Sequence, residues 1–230
     1  MRTLFLALAF VAGCMSETPP PAPTDPPPDG PARVLALGDS YTIGEGVDSP
    51  ERWPNQLADA LRADGLDVEA PVIIARTGWT VDELDAGIDR DPPSGTFDLV
   101  TLLIGVNDQF RSYPLDGYRT DYRAMLRRAV AFAGGVPDRV VAVSFPDWGA
   151  TPFAGRDARS REQIAAEVDA FNAVAREEAE AAGVAWVDIT ALSRTQGSLV
   201  VADRLHPSAE AYAGWVERIL PAARAVLAER

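Results

Sequence analysis

The feature that most constrains this chain is a rhythm: short, almost purely apolar runs recur between longer amphipathic stretches. The runs cover residues 34–37, 68–74 (interrupted by Pro71), 99–104, 140–144 and 185–188. A strand with one wet face alternates polar and apolar residues. Near-continuous apolar runs instead read as strands covered on both faces, as in a parallel sheet. The stretches between them carry helix starts. Thr80-Val-Asp-Glu83 and Ser160-Arg-Glu-Gln163 have the form of capping boxes, in which a hydroxyl takes an orphan amide and the acid or amide side chain reaches back. Pro54 opens a helix through Leu61, because the first turn tolerates a missing N–H. Residues 118–132 and 164–182 read as further helices. A last helix follows Pro207, with Pro221 predicted to kink it. This alternation predicts a three-layer α/β/α sandwich around a mainly parallel five-stranded sheet. Ligand sites in such sheets lie beyond the carboxyl ends of the strands. Ser40 follows the first run and Asn107 follows the third, so both fall on that edge.

The 230 residues suffice for one sizeable core, and no internal repeat is evident. Net charge is −13, from 34 acidic and 21 basic residues. That balance argues against a nucleic-acid partner, which needs a basic stripe to neutralise phosphates.

The one cysteine, Cys14, excludes an intramolecular disulfide. Its setting is informative. Arg2 is followed by a short apolar run from Leu4 to Ala12, and Val11-Ala12-Gly13 lead into Cys14. This is the layout of an export signal with small residues before the cleavage point. The run is about half the roughly 20 residues that span a bilayer as a helix. "VAGC" also resembles the lipobox of bacterial lipoproteins, which implies lipidation of Cys14 and a membrane anchor on the periplasmic or cell-surface side. Residues 15–31 hold eight prolines and no large apolar side chain beyond Met15, a composition expected of an extended tether. The expected organisation is therefore a signal and lipobox over 1–14, a tether over 15–31 and one folded domain over 32–230.

Few residues in the domain can do chemistry. His206 is the only histidine of the chain, and Asp203 stands three residues before it. One helical turn would bring the carboxylate to an imidazole nitrogen, fixing the tautomer and leaving the other nitrogen as a base. A serine hydroxyl needs such a base to act as a nucleophile, and it needs donors aimed at the developing oxyanion. Candidate donors are the Ser40 backbone, Gly78 in "ARTGWT" and the Asn107 side chain. Gly78 reads equally well as a turn residue before the capped helix, and Asn107 and Asp108 as turn caps. No H-E-x-x-H occurs, and one histidine and one cysteine give zinc little to bind.

In order, "GDSYT" (38–42), the glycine of "ARTGWT", "IGVND" (104–108) and "DRLHP" (203–207) resemble the four blocks of the SGNH (GDSL-like) hydrolases, over residues 34 to about 215. Tyr41 stands where the family name has leucine. The resemblance implies a flavodoxin-like α/β/α fold, esterase or lipase activity and no cofactor. It implies Ser40 as nucleophile, His206 as general base and Asp203 as its orienter. It further implies an oxyanion hole of the Ser40 and Gly78 amides with the Asn107 side chain. Asp39 and Asp108 are read as holding the two loops by hydrogen bonds. The G-x-S-x-G elbow of the other large esterase fold is missing, because Thr42 follows where a glycine would be needed.

The expected reaction is two-step acyl transfer from a small-molecule or lipid-like ester to water. Within the family, lysophospholipids, thioesters and acetylated sugars are further substrate classes. Two rival readings are an exported lipoprotein that binds a ligand without turnover and an acyltransferase on the same fold. Trp53, Trp79, Phe110, Tyr113, Trp148 and Phe153 are candidates to line a pocket or close the core, and residues 144–162 are expected to form its rim.

Overall fold

The computed structural model describes residues 30–230; the signal, the lipobox at Cys14 and most of the tether lie outside them. Five parallel strands form one sheet: β1 (Val34–Gly38), β2 (Val72–Ala75), β3 (Leu99–Leu103), β4 (Val140–Val143) and β5 (Ala185–Val187), in the order β2-β1-β3-β4-β5. Every residue of β1, β3 and β4 is buried, while β2 and β5 are more open at the edges. Burial on both faces is why the three inner strands carry almost no polar residue, Thr101 being the exception. The expected run over 68–74 is split. Val68 makes only an isolated bridge to Ala32, and pairing with β1 begins after Pro71, which has no N–H to offer a ladder.

Helices cover both faces. On one, α2 (Trp53–Ala63) packs against α8 (Ala209–Ala228); on the other, α3 (Val81–Arg90), α5 (Leu115–Phe132) and α6 (Arg161–Ala181) pack side by side. The two capping boxes form as read. Glu83 accepts the Thr80 N–H at 3.0 Å, while Ser160 and Gln163 exchange bonds of 2.7 and 3.2 Å. Helix α8 runs unbroken through Pro221, which sits on its exposed face, where the carbonyl that loses its partner can be hydrated. Buried Glu178 on α6 takes both Arg119 and Arg123 of α5, at 2.8 and 2.6 Å, clasping these helices. Among the described residues no helix is long and apolar enough to cross a membrane.

The chain steps from β1 outward to β2, then returns past β1 to β3. The strand order therefore reverses between β1 and β3, which opens a crevice at their carboxyl ends. At the opposite edge, Asp98 receives the Arg33 N–H at 2.8 Å and pairs with Arg230 at 3.1 Å. The Arg230 guanidinium also reaches the Pro31 carbonyl, so the first and last described segments meet there.

Candidate active site

The loop after β1 is held by its own first residues. Asp39 caps the single turn α1 (Ser40–Ile43), its Oδ1 accepting the Tyr41 N–H at 2.9 Å. This places Ser40 at the first position of α1, over the crevice. Ser40 is buried, and it lines a pocket at this edge of the sheet. Among the described residues its Oγ makes no hydrogen bond, so the hydroxyl serves no evident structural purpose.

His206 lines the same pocket. Its Nδ1 lies 2.5 Å from Asp203 Oδ2. The pairing expected from a helical turn is present, but the backbone differs: Asp203 sits in a tight turn, with Arg204 at φ 70°. Asp203 Oδ1 accepts the Leu205 and His206 N–H groups at 2.8 and 3.0 Å, and the turn closes through Val201 N–H to His206 O at 2.9 Å. The carboxylate thus organises the loop as well as the ring. Burial raises the Asp203 pKa, but hydrogen bonds from the ring and the two amides outweigh it, holding the group below the usual carboxylate range. Tyr41 packs against the imidazole, ring centres 5.5 Å apart. No hydrogen bond joins Ser40 Oγ to His206 Nε2.

Gly78 and Asn107 complete the floor of the pocket. Gly78 has φ 87°, a conformation that only glycine adopts without strain, in a turn closed by Trp79 N–H to Arg76 O at 3.2 Å. Among the described residues neither the Gly78 nor the Ser40 backbone N–H has a partner. The Asn107 side-chain amide, on the short helix α4 (Val106–Phe110), gives one hydrogen to Trp79 O at 2.9 Å. Its second hydrogen remains available.

Asp39 and Asp108 act as loop ties. Asp108 Oδ2 accepts the Val81 N–H at 3.2 Å, joining the loop after β3 to the start of α3. Burial, opposed by these amide bonds, pushes Asp39 up to about 8 and Asp108 up to about 7. Each carboxyl keeps one buried oxygen without a partner among the described residues.

The apolar wall is made by Val106, Phe110, Trp148, Phe153 and Leu205, with Tyr41 beneath. Of the six aromatics considered in the sequence, Phe110, Trp148 and Phe153 line the pocket. Trp53 is core, Tyr113 is exposed, and Trp79 packs over Gly87. The connection after β4 does form the rim, as two short 3-10 turns (Trp148–Ala150 and Pro152–Arg156). A chain of bonds fixes it: Trp148 Nε1 to Gln109 at 2.8 Å, Gln109 to Glu167 at 2.7 Å, and Glu167 to Arg159 at 2.8 Å. The Arg159 guanidinium also lies over the Phe110 and Trp148 rings. Arg159 is thereby engaged in holding the rim. Tyr41, Val106 and Leu205 lie inside the quoted motifs, but nothing in the sequence marked them as lining a pocket. Among the described residues no group of three or more His, Cys, Asp or Glu side chains is placed to hold a metal.

The model of the GDSL-like lipase/acylhydrolase family matches residues 36–213, most of the chain and all four site loops. The chain belongs to this family. An arylesterase of Vibrio mimicus is 33% identical over 85 residues, covering 36% of this chain and 40% of that protein; the match thus spans less than half of that relative. Solved structures superpose on most of this fold. The crystal structure of TesA gives a TM-score of 0.62 at 21% identity, covering 84% of this chain and 99% of that one. Axe2, an acetylxylan esterase from Geobacillus stearothermophilus, gives 0.65 at 19% identity, covering 84% and 95%. At these identities the likeness establishes the fold: an α/β sandwich around a five-stranded parallel sheet.

Proposed function

We propose that this family member hydrolyses carboxylic esters through an acyl-enzyme on Ser40. The observation that carries the reading is convergence: four loops, distant in sequence, deliver a free serine hydroxyl, a carboxylate-oriented imidazole and unpartnered N–H donors to one pocket. A ligand-binding protein has no use for that set. His206 takes the Ser40 proton as Oγ attacks the ester carbonyl. The Ser40 and Gly78 amides and the free Asn107 hydrogen receive the oxyanion. Asp203 stabilises the imidazolium. His206 then protonates the leaving alcohol, which departs, and activates a water that attacks the acyl-Ser40 carbonyl and frees the acid. The aromatic wall suits the acyl or aryl part of the ester. The arylesterase and acetylxylan esterase relatives are consistent with small ester substrates.

The test is a fluorophosphonate probe together with a chain-length series of p-nitrophenyl esters. Stoichiometric labelling of Ser40 and turnover of the shorter esters are expected. No labelling, with binding but no turnover, would return the assignment to a non-catalytic lipoprotein; labelling at another residue would move the nucleophile away from Ser40; faster transfer to an added alcohol than to water would make it an acyltransferase.

Export and anchoring through a lipidated Cys14 are part of the same proposal, supported by the sequence of the first 14 residues. Expressed in full, the protein should partition into membranes, and Cys14→Ser should move it to the soluble fraction. Membrane retention of the serine variant would sink the anchor and leave the chemistry untouched.

A further inference from the structure

Arg111 closes α4 one turn after Asn107, so both side chains leave the same face of that helix. Its guanidinium is two-pronged. Nη2 donates to the Gly78 carbonyl at 2.6 Å, and Nη1 pairs with Glu83 Oε1 at 3.2 Å. Glu83 is itself fixed, because its other oxygen caps α3 at Thr80. Within the same helix Asn107 holds the Trp79 carbonyl and Asp108 holds the Val81 N–H. Three side chains from the loop after β3 therefore grip the backbone from Gly78 to Val81. Apart from them, the turn around Gly78 has one internal hydrogen bond, and glycine is the residue most free to rotate. The bond to the Gly78 carbonyl holds the 78–79 peptide plane, on which ψ at Gly78 depends. Together with the Trp79 N–H to Arg76 O bond it fixes the far end of the turn whose middle peptide carries the Gly78 N–H.

We propose that Arg111 is a positioning residue for catalysis: by clamping the Gly78 carbonyl against Glu83, it holds the Gly78 N–H and the Asn107 amide as one preorganised pair of oxyanion donors. The role rests on the ester-hydrolase reading of Gly78 and Asn107. Its physical requirement is separate: a planar fork that bonds two oxygens at once, which a lysine ammonium does not reproduce. Preorganised donors act on the transition state more than on the bound ester, so the loss should fall on kcat.

The experiment compares Arg111→Ala and Arg111→Lys with wild type in ester kinetics, inhibition by a phenylboronic acid that forms a tetrahedral adduct on serine, and amide exchange over residues 76–79. In both variants kcat should fall about tenfold or more with KM within about twofold, on the scale of losing part of an oxyanion donor. Boronate affinity should weaken in step with kcat/KM, and exchange at 76–79 should quicken. Millimolar methylguanidinium should restore part of the alanine variant's rate. A lysine variant equal to wild type would overturn the proposal by showing that charge alone suffices. Unchanged kcat, a rise confined to KM, or unaltered exchange would overturn it too. Should the alanine variant misfold, the lysine variant decides. A wild-type protein without esterase turnover would instead overturn the functional reading, while the exchange measurement still reports on the clamp.

Discussion

Ser40→Ala is expected to lower kcat/KM for any ester the protein cleaves by about a thousandfold or more, leaving only what the donors and the pocket contribute without a nucleophile. The size follows from the role. On the proposed mechanism the acyl group must bond to Oγ for the reaction to divide into two easier steps, and Ser40 is the only serine lining the pocket that holds the Asp203-paired imidazole. The fold should be untouched. Ser40 Oγ bonds nothing among the described residues, and α1 is held by Asp39 and by Gly44 N–H to Ser40 O at 3.0 Å, neither of which uses the hydroxyl. The melting temperature should therefore stay within about 2 °C of wild type, consistent with a change of about 0.5 kcal/mol or less. Calorimetry beside steady-state kinetics reads both quantities. A folded variant that keeps more than about a tenth of the activity would show that the nucleophile lies elsewhere.

Gly38→Ala should damage the fold itself. Gly38 ends β1 between two neighbouring strands, and a Cβ there would overlap the Leu103 carbonyl oxygen and the Thr42 hydroxyl, with Thr42 Cβ only 2.7 Å away. Thr42 is buried within α1, and Leu103 O belongs to the backbone of β3. Neither is the loose end of a long side chain, so the strand must move. Overpacking of this kind costs about 3 kcal/mol or more when backbone has to yield, which in a domain of this size lowers the melting temperature by roughly 6–12 °C. Because Asp39 and Ser40 follow directly, activity should fall with the geometry of the nucleophile loop. Thermal unfolding checks the first effect; a melting point within about 2 °C of wild type would mean the strand end is softer than its contacts indicate.

These two neighbours also show what could be read in advance. Ser40 was legible because a buried run ends in a polar turn, and because the remaining motif residues follow strands of the same sheet. The inner strands were legible for a plainer reason: residues sealed on both faces have no polar partner to alternate with. Where Pro71 interrupts the pattern, the apolar content of residues 68–74 overstated the pairing. The Asp203–His206 contact was anticipated, but not its backbone. An arginine with positive φ at position 204 leaves no composition signal of the kind glycine or asparagine gives. Arg111 was invisible for a different reason. Its partners, Gly78 and Glu83, lie some thirty residues earlier, and only the packing of two loops at the strand reversal brings them together. The aromatic wall was half legible: loop position nominated Phe110, Trp148 and Phe153, but could not separate them from Trp53, which the core absorbs.

The direction of β1 has a consequence for where the domain is joined to the chain ahead of it. Its amino end, with Pro31, Arg33 and the Arg230–Asp98 pair, lies at the far rim from Ser40 and His206. Whatever part of the chain precedes Pro31 therefore enters the domain at the face opposite the pocket.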